Sequence, residues 1–195
     1  MPLEQEVQQR IYEYCYRDLN SEDYCDKLFD FILDKELKKA IIKRYMALRF
    51  SYKIFEGIEA KDEILEFEIQ SQIIGYASIY EAIFTYVLKK FYHETVWRKG
   101  RDISFREKCK IAKKYNLIND FNKEPRYKLK GIDHLFNELA EFYETRNQIH
   151  IYCQLNKNSQ LKLDMSRLAY WRIEAVTRQI KNQLAKDEKY QVQKI

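Results

Sequence analysis

The apolar positions of this chain recur at helical spacing almost throughout. Val7, Ile11 and the Tyr14–Cys15 pair predict a first short helix, and Asn20-Ser21-Glu22-Asp23 is a capping cluster that opens a second. Leu37, Ile41, Tyr45, Leu48, Tyr52 and Phe55 step by 4, 4, 3, 4 and 3, which predicts an amphipathic helix stopping at Gly57. A long helix follows over about residues 62–93. Its apolar centre, the sixteen residues 73–88, has Glu81 as its one charged residue; it is too short for a membrane span and reads as a buried core helix. Residues 98–102 read as a basic loop around Gly100. Ser104-Phe105-Arg106-Glu107 is a capping box that opens a short helix to about Tyr115. A loop over residues 119–130 with Pro125, a helix over about 133–152 and a polar connection over 154–161 come next. Ala169, Ile173, Val176, Ile180 and Leu184 then define a last helix. No repeat or low-complexity tract interrupts this order. The predicted fold class is all-α, a helical bundle packed largely up and down.

Composition narrows the choice further. With 195 residues the chain makes one compact domain, or one with an appendage. Four Gly and two Pro are too few for the turns of a β-sandwich or barrel. Neither GxGxxG nor a Walker A sequence occurs, which excludes Rossmann and P-loop nucleotide enzymes. Cys15, Cys25, Cys109 and Cys153 form no CxxC pair and no zinc-finger spacing with His, so they read as reduced, mostly buried thiols of a cytosolic protein. The first residues have no basic and apolar segments of a signal peptide. The three His show no metal-binding spacing, and no metal or cofactor is expected.

The net charge of +5 is unevenly spread. Residues 89–130 hold fourteen Lys/Arg against five Asp/Glu, whereas the first 36 residues hold ten Asp/Glu against four Lys/Arg. Such a basic stretch is either a track for a polyanion or a solvated helix face. A second cluster, Lys38, Lys39, Lys43, Arg44, Arg49 and Lys53, could extend that track or dock on the acidic N-terminal helix.

The helix over residues 133–152 carries the chemistry. Leu135, Leu139, Phe142, Arg146 and Ile149 form one stripe and Phe136, Ala140, Tyr143, Asn147 and His150 its neighbour. An Arg on an apolar seam is costly unless its charge is paired or faces a partner. Arg146 and His150 stand at i and i+4, roughly 6 Å apart on one side of the helix. Taken singly, Arg146 reads as a salt-bridged structural residue and His150 as a hydrogen-bonded interior one. With Asn147 between them they also read as a site. Glu81 reads as the carboxylate that pairs with a buried cation, Arg146 first among them.

Arg146-Asn147-Gln148-Ile149-His150 resembles the Arg-polar-x-x-His signature of HEPN domains. The preceding apolar helix with Glu81, the short helix from Ser104 and the single helix after the motif fit the same order. The usual spacing in that family leaves four to six residues between Arg and His, and here there are three. The likeness spans about residues 62–187. It implies a HEPN-like bundle over residues 61–195 with an N-terminal helical extension over 1–60. It further implies a cytoplasmic, metal-independent endoribonuclease of toxin–antitoxin, abortive-infection or antiviral defence type, whose active site forms across a homodimer. Arg146, Asn147 and His150 would be catalytic and Glu81 and Tyr152 supporting, Tyr152 as a residue that a partner nucleotidyltransferase modifies in one subgroup. Arg98, Lys99, Arg101, Arg106, Lys110, Lys113 and Lys114 would contact RNA, and an antitoxin is a further possible partner. The apolar seam of the motif helix would face the second copy. The alternative is a non-catalytic HEPN module that binds RNA, a nucleotide or a protein.

Overall fold

Side-chain caps set the helix starts. The computed structural model describes residues 2–17, 19–94, 96–98, 101–119, 135–148 and 163–187. After α1 (Gln5–Arg17), Ser21 Oγ accepts from the Tyr24 N–H at 3.1 Å and opens α2 (Glu22–Leu28). The Asp34 carboxylate accepts from the Leu37 N–H at 3.0 Å at the start of α3 (Lys35–Gly57). Ser104 Oγ accepts from the Glu107 N–H at 3.2 Å at the start of α5 (Phe105–Lys114). Between them α4 (Asp62–Tyr92) ends where His93 turns left-handed, with φ 52°. The chain continues with α6 (Leu135–Gln148) and α7 (Leu163–Lys186). The expected loop over 120–130, the helix ends at 133 and 152 and the connection over 154–161 lie outside the described residues.

One expectation is corrected. Residues 98–102 are not simply a loop: β1 (Trp97–Arg98) pairs antiparallel with β2 (Arg101–Asp102), Trp97 opposite Asp102 and Arg98 opposite Arg101. A ladder of two residues is too short to show an alternating pattern, so periodicity misses it. The described residues are otherwise an all-α bundle. No helix among them is long and apolar enough to cross a membrane. Cys15, Cys25 and Cys109 are buried free thiols, and burial pushes the Cys109 thiol well up; Cys153 lies outside the described residues.

α4 is the axis of the bundle and packs against α3, α5, α6 and α7. A helix buried on several sides must be apolar on several sides, which the run over 73–88 provides. At Gly75 a Cβ would run into the Leu48 side chain, so glycine lets α3 and α4 cross closely there. One continuous core runs from Cys25 to Leu184 across the boundary expected near residue 60. α3 thus shares the core, whereas α1 buries only Cys15. All five stripe positions of α7 are buried. Glu138 of α6 and Arg172 of α7 form an ion pair at 2.6 Å, with the Glu138 side chain fully buried. Beside them the Tyr80 hydroxyl donates to the Ala169 carbonyl at 2.5 Å.

The α6 seam is corrected as well. Leu135, Leu139 and Phe142 are fully buried within the protomer, and Phe142 stacks on Tyr80 of α4 with ring centroids 6.4 Å apart. Among the described residues that seam is filled by the chain's own core and offers no apolar face to a second copy. The sequence pattern shows that a stripe is apolar, not which element covers it.

Glu68 offers a pH test of the α3–α4 contact. It is buried, accepting from Ser51 Oγ at 2.9 Å and Gln72 Nε2 at 2.5 Å, and burial raises its pKa. A raised pKa means the folded state holds this proton more tightly than the unfolded chain. Its contribution is therefore fully present at low pH and is lost as pH rises through the raised value. Glu68→Gln is expected to raise the melting temperature at pH 7. The gain should vanish below about pH 4, where the unfolded carboxyl is itself protonated. Melting curves of both proteins across that range test it.

Candidate functional site

Glu81 sits where α4, α5 and α6 meet, and the groups around its carboxylate explain why a charge stands in the apolar run. Arg146 Nη1 donates to Glu81 Oε2 at 2.9 Å. The Tyr143 hydroxyl donates to Oε1 at 3.2 Å, and Lys108 Nζ approaches the same oxygen at 3.4 Å. The Lys108 side chain is fully buried, with the Asp102 carboxylate of β2 a further 3.8 Å from its ammonium. The Arg146 guanidinium also lies 4.9 Å from the Tyr143 ring centroid. That ring is held in turn by stacking on Phe105 at 4.7 Å. Burial, and then the negative charge of Glu81, raise the Tyr143 pKa, so the phenol stays protonated as a donor.

Two carboxylates and two cations thus balance within one copy. Arg146 remains 30% exposed and Glu81 25% exposed, so the pair reaches the surface while Lys108 holds it from beneath. A guanidinium with one edge on a carboxylate keeps further N–H donors for another oxyanion.

Of the expected site residues, the structure brings Glu81 and Arg146 together and leaves Asn147 exposed next to them on α6. His150 and Tyr152 lie outside the described residues. Sequence reasoning missed Lys108 and Tyr143 as partners of Glu81, and Asp102. Lys108 had a signal of the same kind as Arg146. It falls among Phe105, Cys109 and Ala112 on the buried face of α5, where an unpaired charge would be prohibitive.

The opposite face of α5 exposes Arg106, Lys110, Lys113 and Lys114. Arg106 pairs with Glu144 of α6 at 2.9 Å, and Lys114 stands 3.9 Å from Glu94. Lys113 lies 5.0 Å from the centre of the Phe136 ring. The side chains of Arg98, Lys99 and Arg101 lie outside the described residues. The second basic cluster divides. Lys38 pairs with Asp26 of α2 at 2.6 Å and Lys53 lies against Tyr14 of α1, while Lys39, Lys43 and Arg44 are exposed. Part of that cluster therefore fastens the acidic N-terminal helices.

Among the described residues no three His, Cys, Asp or Glu side chains group to hold a metal ion. No protein-family model matches the chain, and no curated protein or solved structure matches it either.

Proposed function

We propose that the protein is a metal-independent endoribonuclease on a HEPN-like bundle, acting as a toxin or antiviral defence effector. The observation that supports this reading is the surface pair of Glu81 and Arg146, beside the cationic face of α5. Glu81 orients the guanidinium, and the free edge of Arg146 meets the scissile phosphate. RNA brings its own nucleophile. His150 accepts the proton of the 2′-OH, the oxygen attacks phosphorus, and the 5′-oxygen leaves with a proton from the partner's His150. The products are a 2′,3′-cyclic phosphate and a 5′-hydroxyl. Arg146 stabilises the charge that builds on the phosphorane, and Asn147 orients by hydrogen bonding.

A second copy would meet α4 rather than the α6 seam. Ile64, Phe67, Ser71, Ile74, Ser78 and Glu81 step by 3, 4, 3, 4 and 3. Ile64, Phe67 and Ile74 are exposed, Phe67 by 63%. Ser71 and Ser78 turn their hydroxyls onto their own helix, donating to Phe67 and Ile74 carbonyls at 2.9 and 2.7 Å. The stripe therefore runs as a narrow apolar seam up to the carboxylate that holds Arg146. Light scattering is expected to give a dimer for the parent and a monomer for Phe67→Asp. A monomeric parent at high micromolar concentration would remove the composite site.

RNA binding is testable separately. Affinity for single-stranded RNA should fall steeply with salt, since phosphate contacts release counterions. Reversing Lys113 and Lys114 to Glu should weaken it without unfolding the protein. Binding indifferent to salt would leave α5 with a solvated face and no track.

The second reading, a non-catalytic module that binds RNA or a protein, draws support from one observation. Glu81, Asp102, Lys108 and Arg146 already neutralise one another within a single copy.

A further inference from the structure

A polar cleft opens between α3, α4 and α7, on residues that the ribonuclease reading does not use. It has two adjoining lobes, of about 180 and about 140 Å³, which share Tyr52, Glu56, Gln72, Ser166 and Arg167 in their walls. Each lobe is smaller than the ~300 Å³ at which pockets for drug-sized ligands begin. That admits a small ion or the head of a small organic molecule.

The larger lobe is cationic. Arg49, Lys53 and Arg167 line it against one carboxylate, Glu56. Glu56 is already committed: Lys53 donates to it, Tyr14 and Tyr52 hydroxyls add bonds at 3.2 and 3.3 Å, and the Lys53 bond lowers its pKa. Arg49 and Arg167 therefore stand in excess, with no carboxylate partner among the described residues. Arg167 Nε has only the Tyr52 hydroxyl at 3.4 Å. Arg49 is flanked by aromatic rings, with the Tyr170 centroid at 4.0 Å and the Tyr52 centroid at 5.1 Å. Faces covered by rings leave a guanidinium only its edge for binding, and that edge is the fork that matches an oxyanion.

A second, independent observation points to a ligand. Arg49 Nε is buried with no hydrogen-bond acceptor. Buried polar groups are almost always satisfied, so this orphan donor on the wall of the larger lobe marks the place of an acceptor. The smaller lobe also carries Glu59 and Glu68, so the excess of two positive charges belongs to the larger lobe, where it matches a group of charge −1.5 to −2, roughly that of a phosphoryl dianion near neutral pH. A monocarboxylate would leave one guanidinium uncompensated. We propose that the larger lobe of the α3–α4–α7 cleft binds a phosphoryl group, free or on a small organic molecule, through Arg49 and Arg167.

The test uses the full chain with orthophosphate and with phenyl phosphate, followed by calorimetry and thermal shift against a chloride control of equal ionic strength. Saturable binding at one site per chain is expected, retained when Lys113 and Lys114 are reversed. Arg167→Gln should weaken it by about 10- to 100-fold, the loss of one charge-assisted contact. Arg49→Lys, checked for folding by circular dichroism, should weaken it as well. If phenyl phosphate binds more tightly than orthophosphate, and Trp171→Ala at the rim removes the difference, the ligand is an organic phosphate; equal affinities identify free phosphate. No saturable binding, or Arg167→Gln binding like the parent, overturns the proposal whatever the RNA experiments give.

Discussion

Glu138→Ala should destabilise the bundle by about 3–5 kcal/mol, because it strips the counterion from a nearly buried guanidinium. Arg172 Nε bonds Glu138 Oε2 at 2.6 Å, with side chains 9% and 0% exposed. The pair joins α6 to α7 next to the fully buried Tyr80 of the central helix. Replacing both partners with Met should cost far less, or stabilise, since desolvating two charges offsets most of what their attraction returns. Denaturant unfolding of the two variants distinguishes these outcomes. A loss below about 1 kcal/mol for Glu138→Ala would mean that Arg172 reaches solvent on release, as an exposed pair does.

The second large effect falls on chemistry. His150→Ala is expected to lower RNA cleavage by roughly 10²–10⁴-fold through loss of the proton-transfer group. Arg146→Ala should cost on the order of 10²–10³-fold through lost charge at the phosphorane. Arg146→Lys should restore only part of it, since a point charge replaces a fork. Glu81→Gln adds a readout that a stability role does not move. It frees Arg146 from its orienting carboxylate, so kcat should fall while RNA affinity holds or rises. The His150→Ala and Arg146→Ala variants should both remain folded. Variants that unfold, or that cleave like the parent, would transfer the weight to the binding module.

Much of this was legible in the chain. Spacing and caps located the helices because each is a local property: Ser21, Asp34 and Ser104 each bond an N–H three residues on. The pairing of Glu81 with Arg146 was legible for a different reason. A lone carboxylate in an apolar helix and a lone guanidinium on an apolar seam each need a partner, and each was the other's best candidate. Lys108 obeyed the same logic but stood in a strongly basic stretch, which hid its position on the buried face. The partner of the α6 seam was not legible, because α4 covers it from more than fifty residues away in sequence. The α3–α4–α7 cleft was hidden too. Arg49 looked like one of a row of surface cations, and only tertiary packing places it between Tyr52 and Tyr170.

The central claim is that Arg146 and His150 cut RNA through its own 2′-OH without metal. One measurement tests it directly: cleavage of a single-stranded RNA in excess EDTA, beside the same sequence with 2′-deoxy sugars. The account predicts that the RNA is cut to fragments ending in 2′,3′-cyclic phosphate and that the deoxy strand stays intact. An uncut RNA, or equal cutting of both strands, would contradict it.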